Sequence, residues 1–181
     1  MYNNIVQTRM LPVKSNKVLI LTGPGGSGKT TIANLLEKRY GFIRLDADRE
    51  DTEFFPNGKQ WLPENSKNLV RAHDKILQKT KKLFSTSHNI VVDYIIFGDY
   101  LNFFEKFKKE FGNNLEIKVL FPSQDQIIYR DSNRKPWVTG TERIRVVYEE
   151  MGAIKDKIGA DKYLDTSGQT PEETLEKFFH Y

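Results

Sequence analysis

Short, continuous apolar runs recur along the chain and are separated by longer stretches with helical spacing. Runs of this kind are typical of strands that are buried on both faces of a sheet. They predict five strands, at residues 18–21, 42–46, 89–93, 115–121 and 163–165. Apolar positions three and four residues apart predict helices at residues 29–40, 67–85, 99–111, 123–134 and 141–157, and a last helix from residue 170. Strands that alternate with helices predict an α/β domain whose parallel sheet has helices on both faces.

Several predicted helix ends coincide with residues that favour them for local physical reasons. Gly41 follows the first helix, where a glycine can adopt the left-handed conformation that ends a helix at low cost. Ser123 and Thr170 precede two later helices, where their hydroxyl groups can accept hydrogen bonds from free backbone N–H groups. By contrast, residues 49–66 contain charges, prolines and a glycine without periodicity, which predicts an irregular segment in which Asp51 is a solvated loop charge.

A glycine-rich loop joins the first predicted strand to the first predicted helix. Its residues are Gly23, Pro24, Gly25, Gly26, Ser27, Gly28, Lys29 and Thr30. The glycines leave room for the backbone to curl around phosphates, and the helix N-terminus adds partial positive charge. Lys29 is expected to reach the β and γ phosphates, and the Thr30 hydroxyl to bind Mg²⁺. Together with Thr31, the loop predicts a site for a nucleoside triphosphate with Mg²⁺: ATP, with GTP left open.

Three aspartates follow predicted strands at the edge of the sheet where ligands of α/β proteins bind. Asp46 and Asp48 follow the second strand, and Asp93 ends the third. Carboxylates there can organise Mg²⁺ and can orient or deprotonate an acceptor hydroxyl. Trp61 and Tyr94 are expected to flank the pocket for that acceptor. Asp46 and Asp48 would share a face if the strand continued, whereas a turn would direct one towards metal and the other towards an acceptor. Thr30, Asp46 and Asp93 are the predicted metal ligands.

Arg130 and Arg134 lie four residues apart on the helix after the fourth strand, and so on one helix face. Two guanidinium groups there can stabilise charge on a phosphoryl group in transfer. The segment at about 130–143 is therefore predicted to be a lid, with Gly140 as its pivot. A lid that excludes water favours transfer to an acceptor over hydrolysis.

Composition narrows the class of protein. The chain has 181 residues, which suits one domain, here residues 17–181 after an N-terminal arm at residues 1–16. Cysteine is absent, which excludes disulfides, thiolate metal sites and a cysteine nucleophile. The polar N-terminus and the lack of a long apolar run lead us to expect a cytoplasmic protein without a membrane partner. The net charge of +4 suits a phosphate ligand, and the scattered lysines indicate solvated helix faces rather than a nucleic-acid surface.

With these residues collected, the chain from about Lys17 onwards resembles the small P-loop kinases of the gluconate, shikimate, adenylylsulfate and chloramphenicol phosphotransferase group. The resemblance is carried by residues 23–30, 45–48 and 163–167, and by Arg130 with Arg134. It implies a three-layer P-loop NTPase fold with a five-stranded parallel sheet in the order 2-3-1-4-5. It also implies an aspartate for acceptor or metal after the second strand and lid arginines at positions 130 and 134. The residues implied to lie beside adenine are Asp165, Thr166 and Ser167.

Several signatures of the individual kinases are missing from this sequence. After the third strand, residues 93–97 replace the Cys-Ser-Ala-Leu signature of gluconate kinases. Arg49 stands where adenylylsulfate kinases carry asparagine, and Gly98 stands alone where shikimate kinases carry several glycines. The resemblance therefore leaves the acceptor open.

Three functional hypotheses follow from these patterns. The leading one is a kinase that transfers the γ-phosphoryl group of ATP to a hydroxyl of a small molecule, with Lys29, Asp46, Asp48, Arg130 and Arg134 as catalytic residues. The second is a nucleoside or nucleotide kinase, in which residues 49–66 form a substrate-binding insert. The third is a nucleotide-dependent binding module or a nucleic-acid end kinase. A nucleotide-dependent switch usually carries a glycine that senses the γ-phosphate, three residues after the aspartate that ends this strand. Ile96 occupies that position after Asp93, so the sequence lacks this sensor.

Overall fold

The computed structural model describes residues 16–96, 98–133 and 139–181. Five strands form one parallel sheet in the order β2-β3-β1-β4-β5, which confirms the predicted strand order. The strands are β1 (Val18–Thr22), β2 (Ile43–Asp46), β3 (Ile90–Asp93), β4 (Leu115–Leu120) and β5 (Tyr163–Leu164). The predicted N-terminal arm lies outside the described residues apart from Asn16, and so does Arg134 of the predicted lid.

Eight α-helices connect or flank the strands in the described part of the chain. They are α1 (Lys29–Tyr40), α2 (Ala47–Glu50), α3 (Ser66–Phe84), α4 (Tyr100–Phe111), α5 (Gln124–Ser132), α6 (Thr141–Ala153), α7 (Lys155–Ile158) and α8 (Pro171–Phe178). Short 3₁₀ turns occupy Thr52–Phe54, Pro63–Asn65, Gly112–Asn114 and Ala160–Lys162. In these described ranges, no helix has both the length and the apolar character that crossing a membrane requires.

The sheet separates two apolar cores, as the alternation of side chains along each strand requires. On one face, Leu19 and Leu21 of β1 pack with Ile32 and Leu36 of α1 and Leu175 of α8. On the other face, apolar residues of α3, α4 and α6 cover the strands. The core residues on this face include Val18, Ile20, Val92, Ile76, Phe103, Phe104, Phe107, Phe111, Val147 and Met151. The three-layer architecture is therefore confirmed.

Most predicted helix ends are confirmed, and one prediction is corrected. Gly41 ends α1 with φ of 68°, and Ser123 caps α5 by accepting a hydrogen bond from the N–H of Gln126. Thr170 and Glu173 form a reciprocal capping box at the start of α8. The helix predicted at 141–157 is instead two helices that divide at Ile154, whose φ of −101° and ψ of 4° depart from helical geometry.

Candidate active site

The glycine-rich loop curls between β1 and α1, as its sequence predicts. Gly28 has φ of 100° at the start of α1, a conformation that residues with a Cβ atom rarely adopt. The N–H of Ser27 donates to the carbonyl oxygen of Pro24 at 3.2 Å and closes the turn. The Lys29 side chain is buried and its Nζ donates to the carbonyl oxygens of Gly23 and Pro24 at 2.8 and 3.0 Å. Lys29 therefore fixes the curvature of the loop and keeps its charge at the loop's centre.

Neighbouring elements approach the loop so closely that some positions accept only glycine. A Cβ atom built on Gly23 would lie 2.3 Å from the carbonyl oxygen of Leu120 at the end of β4. A Cβ atom on Gly25 would lie 2.4 Å from Oγ1 of Thr139. Both separations are far shorter than van der Waals contact. The loop is consequently held in its curled form by packing against β4 and the residues before α6.

A cavity of about 340 Å³ opens beside the loop and the start of α1. Its lining combines residues of the glycine-rich loop, residues of the first turn of α1, Arg130 of α5 and residues of the loop between β5 and α8 and the start of α8. They are Gly26, Ser27, Gly28, Lys29, Thr30, Thr31, Ile32, Leu120, Arg130, Thr166, Gln169, Pro171 and Thr174. Thr30 and Thr31 are exposed, so their hydroxyl groups are accessible to a ligand in this cavity. The volume lies within the range of small-molecule sites.

Arg130 connects α5 to the loop between β5 and α8. Its Nη2 donates to the carbonyl oxygens of Thr166 and Gln169, each at 3.3 Å, and burial lowers the pKa of its guanidinium. The N–H of Ser167 donates to Oδ1 of Asp165 at 2.9 Å. Thr166 thus lines the cavity, whereas Asp165 and Ser167 shape the turn that carries it. The structure brings the predicted adenine-side segment to the same cavity as the phosphate loop.

The chain turns immediately after β2, so Asp46 and Asp48 do not lie along one continued strand. Asp46 caps α2, and its Oδ1 accepts a hydrogen bond from the N–H of Arg49 at 3.2 Å. Asp48 lies in the first turn of α2, and its Oδ1 accepts a hydrogen bond from the N–H of Ile95 at 3.2 Å. Of the two geometries considered for this pair, the structure has the one with separated carboxylates.

Burial raises the pKa of Asp48 to about 7, because a desolvated carboxylate is less stable in its charged form. The positive charge of Lys29 opposes this shift, and the negative charges of Asp93 and Asp51 add to it. Asp48 therefore lies within electrostatic reach of the phosphate-loop lysine and of the acid that ends β3. A carboxylate that titrates near neutral pH is suited to exchanging a proton with a bound molecule.

The side chain of Arg44 lies between two of the predicted metal ligands. Its Nη2 is 2.8 Å from Oδ2 of Asp93 and 3.1 Å from Oδ2 of Asp46, and its Nε also donates to Oδ2 of Asp93 at 3.1 Å. The sequence pattern predicts only that Arg44 lies in a strand. The contact with Asp46 did have a signal in the sequence: Arg44 lies two residues before Asp46, and residues at this spacing share a face of a strand.

The residues predicted to hold Mg²⁺ suit that ion. Asp93 is 2% exposed, and its Oδ1 has no hydrogen-bond partner among the described residues. Thr30 and Asp46 supply further oxygen atoms, the ligand type that Mg²⁺ prefers. In the part of the chain that the structure describes, no group of three or more acidic or histidine side chains forms a metal cage.

Comparison with known proteins identifies the family. A family model described as AAA domain matches residues 18–137. The chain belongs to this family. The probable adenylyl-sulfate kinase of Pyrococcus abyssi is 29% identical over 86% of this chain and 88% of its own length.

Solved structures share the fold of this AAA-domain chain at low sequence identity. A sugar kinase from Janibacter sp. HTCC2649 has a TM-score of 0.67 at 16% identity and covers 90% of this chain and 91% of its own. A deoxyadenosine kinase from M. mycoides with bound dATP has a TM-score of 0.62 at 16% identity, with 88% and 96% covered. These relatives are P-loop kinases, as the sequence resemblance predicted, and they support the predicted class of ATP-dependent phosphotransferase.

Two interpretations of individual residues in this AAA-domain chain are corrected. Asp51, interpreted as a solvated loop charge, is fully buried, and its Oδ2 accepts a hydrogen bond from the hydroxyl of Tyr94 at 3.1 Å. Burial raises the pKa of Asp51 to about 6. Tyr94, considered as a wall of an acceptor pocket, is itself fully buried and packs against His73 and Phe103. This pair therefore supports the segment after β3 from within the core.

Trp61 and Arg143 meet where the segment at 49–66 approaches α6. Trp61 is 43% exposed, and Cζ of Arg143 lies 4.4 Å from the centroid of its ring. Such a geometry permits a cation–π contact. Arg143 thus joins the predicted insert to the end of the predicted lid.

Asp131 fixes the described end of the predicted lid to the phosphate loop. Its carboxylate is buried, and Oδ2 accepts hydrogen bonds from the N–H groups of Thr139 and Gly140 at 2.8 and 3.0 Å. A Cβ atom on Gly26 would lie 3.3 Å from Cβ of Asp131, so α5 packs directly on the loop. The role of Asp131 could not be predicted from the sequence, since one aspartate in a polar helix carries no distinctive signal.

Proposed function

We propose that this protein transfers the γ-phosphoryl group of ATP to a hydroxyl group of a small molecule held beside Asp48. The observation that carries the proposal is the position of Asp48 at the carboxyl end of the sheet. It is partly buried, hydrogen-bonded to the N–H of Ile95 at 3.2 Å and electrostatically coupled to Lys29. A base with a pKa of about 7 combines adequate basicity with an ionised form that is well populated at neutral pH.

In the proposed reaction, the acceptor hydroxyl gives its proton to Asp48 as its oxygen forms a bond to the γ-phosphorus. The bond between that phosphorus and the bridging oxygen of ADP breaks, and the electron pair stays with ADP. Lys29 and the N–H groups of the loop stabilise the negative charge on the phosphate oxygens. Mg²⁺, held through Thr30, Asp46 and Asp93, supplies further neutralisation of that charge when it is bound.

The remaining predicted residues have roles on the nucleotide side of the site. Arg130 lines the cavity and is proposed to contact the phosphates from the face opposite Lys29. Arg134, outside the described residues, is proposed to act with it as a second lid arginine. The segment of Asp165, Thr166 and Ser167 is proposed to lie beside the base of the nucleotide, which the position of Thr166 in the cavity lining supports.

A nucleoside or nucleotide acceptor is the second candidate. It is favoured by the fold that this chain shares with a deoxyadenosine kinase. The segment at residues 49–66, which includes the exposed Trp61, is then the proposed contact surface for the acceptor base. Stacking on an aromatic side chain is a common way to hold a nucleobase.

An acceptor screen tests the proposal. Purified protein with Mg²⁺ and ATP would be incubated with separate pools of nucleotides including adenylylsulfate, nucleosides, sugars, shikimate-like hydroxy acids and hydroxyl-bearing antibiotics. Mass spectrometry would then detect an acceptor that has gained one phosphoryl group. The comparison variant is Asp48→Asn, which is expected to bind ATP with little change in affinity but to form the phosphorylated product about 10²–10⁴-fold more slowly. If Asp48→Asn phosphorylates the identified acceptor at the wild-type rate, the proposed role of this carboxylate is wrong.

A further inference from the structure

Arg44 occupies a specific place on the sheet face that is covered by α1. In the register between β2 and β3, Arg44 pairs with Val91 and Asp46 pairs with Asp93. Because side chains alternate along a strand, Arg44, Asp46 and Asp93 project from the same face. This is the face on which α1 begins with Lys29 and Thr30. A partly buried arginine needs partners for its charge, and here the partners are Asp46 on its own strand and Asp93 on the neighbouring strand.

One guanidinium group serves both carboxylates. The side chain of Arg44 is 20% exposed and that of Asp93 is 2% exposed, so their 2.8 Å ion pair is largely shielded from water. The second pair, with Asp46 at 3.1 Å, is closer to solvent because the Asp46 side chain is 43% exposed. Shielded charges interact more strongly than exposed ones, so the Arg44–Asp93 pair is the stronger of the two.

The two oxygen atoms of Asp93 have different surroundings. Oδ2 accepts both hydrogen bonds from Arg44, whereas Oδ1 has no partner among the described residues. Arg44 therefore fixes the orientation of the carboxylate and leaves one oxygen for another ligand. At the same time its positive charge offsets much of the attraction that Asp93 and Asp46 would exert on a divalent cation.

We propose that Arg44 is a built-in counter-cation that weakens Mg²⁺ binding to Asp46 and Asp93 until a triphosphate adds its own oxygen ligands. The inference rests on the proposed function only in that Mg²⁺ enters this site together with ATP. Arg44 acts here as a positioning residue through the two acids. It makes the site respond to the nucleotide–metal complex rather than to free Mg²⁺.

The test compares Mg²⁺ binding by the wild-type protein, Arg44→Met and Arg44→Lys without nucleotide. Methionine keeps much of the side-chain length and removes the charge, whereas lysine keeps the charge. We expect calorimetry to show Mg²⁺ affinity at least about tenfold higher for Arg44→Met, because a repelling charge has been removed. Arg44→Lys is expected to remain close to wild type. The control is Arg39→Met on α1, where Arg39 forms an exposed 3.8 Å ion pair with Glu176, and this substitution should leave Mg²⁺ affinity unchanged.

Thermal unfolding supplies a second measurement that needs no catalysis. In EDTA, Arg44→Met is expected to unfold at a lower temperature than wild type, because two neighbouring carboxylates lose their shared partner. Added Mg²⁺ should restore much of this loss in Arg44→Met and should stabilise the wild-type protein little. Equal Mg²⁺ affinity of Arg44→Met and wild type would overturn the proposal.

A measurement on the wild-type protein alone keeps the proposal falsifiable if Arg44→Met does not fold. Tight binding of free Mg²⁺ by the nucleotide-free wild-type protein, as strong as in the presence of ATP, would contradict the inference. None of these measurements involves an acceptor, so their outcome does not depend on whether the proposed phosphoryl transfer takes place. A protein without activity in the acceptor screen could still show the expected difference between Arg44→Met and Arg44→Lys.

Discussion

The carboxylate of Asp48 accepts a hydrogen bond from the backbone N–H of Ile95 at 3.2 Å. This contact joins the turn after β2 to the segment after β3, so two strand ends determine the orientation of one acid. Burial at this junction raises the pKa of Asp48 to about 7. The hydrogen bond from Ile95 by itself lowers this pKa, so the effect of burial outweighs it.

Asp48→Asn is expected to reduce phosphoryl transfer by about 10²–10⁴-fold, the usual contribution of a general base. The affinity for ATP should change little, because Asp48 does not line the cavity beside the glycine-rich loop. In the wild-type protein, kcat/KM should rise with pH through about 7 as Asp48 loses its proton. Steady-state kinetics across pH and calorimetry with ATP would check both statements. A flat pH profile from pH 5 to pH 9 would contradict the assignment.

The stability of the folded protein should also depend on Asp48. Its pKa is higher in the folded protein than in the unfolded chain, so the folded state binds more protons between about pH 4 and about pH 7. The free energy of unfolding should therefore fall as the pH rises through this window. Asp48→Asn removes this contribution and should lose less stability than wild type between pH 5 and pH 8. Urea unfolding at both pH values measures the difference, and equal losses in the two proteins would contradict it.

Gly23→Ala tests the packing of the phosphate loop. Its Cβ atom would lie 2.3 Å from the carbonyl oxygen of Leu120, and the backbone φ of 147° is unfavourable for alanine. The phosphate loop and β4 would have to move apart, so we expect a lower free energy of unfolding and a large loss of affinity for ATP. Gly152→Ala in α6 is the matched control, because its Cβ atom would have its nearest contact at 3.9 Å.

The control should increase the free energy of unfolding by about 0.5–1 kcal/mol, the helical preference for alanine over glycine. Thermal unfolding and ATP titration of both variants measure the contrast. Unchanged ATP affinity in Gly23→Ala would show that the loop does not need its observed contact with β4.

Arg130→Ala should weaken ATP binding by about tenfold, because the loop at Thr166 and Gln169 loses two hydrogen bonds from a charged donor. If Arg130 also contacts phosphates, tripolyphosphate should bind more weakly as well. The comparison of both ligands in titration calorimetry separates the two contributions. Arg39→Ala, an exposed arginine on α1, is the control and should bind both ligands normally. An Arg130→Ala protein with wild-type affinity for both would exclude Arg130 from the site.

Asp131→Ala should loosen residues 139–140 from the phosphate loop. The substitution leaves the N–H groups of Thr139 and Gly140 without their acceptor, which costs about 1–3 kcal/mol of folding free energy. We also expect faster hydrogen exchange at these residues and in the loop. Asp125→Ala, an exposed acid in the same helix, is the control and should show neither effect. Asp131→Asn keeps an acceptor oxygen at this position and should restore part of the protection of these residues against hydrogen exchange.

The strands, most helices and the phosphate loop could be predicted because their signals are local. A continuous apolar run such as residues 18–21, or glycines before a lysine and a helix, has the same meaning wherever it occurs. The burial of Asp51 could not be predicted, because it depends on Tyr94, 43 residues further along the chain. The division of the helix at Ile154 was also missed, because Gly152, two residues earlier, is an isolated glycine, and a helical pattern tolerates such a residue.

The sequence by itself determined the sheet with its flanking helices, the curled loop at residues 23–30 and the presence of acids at strand ends. It did so because backbone propensity and the period of apolar residues act over short distances. Only the tertiary structure decided that Asp48 bonds to Ile95, that Arg44 holds Asp93 and Asp46, and that Asp131 fastens residues 139–140 to the loop. These relationships depend on the order and register of the strands and on the packing of α5. Charges far apart in sequence become neighbours, and their energies change, only after folding has removed the water between them.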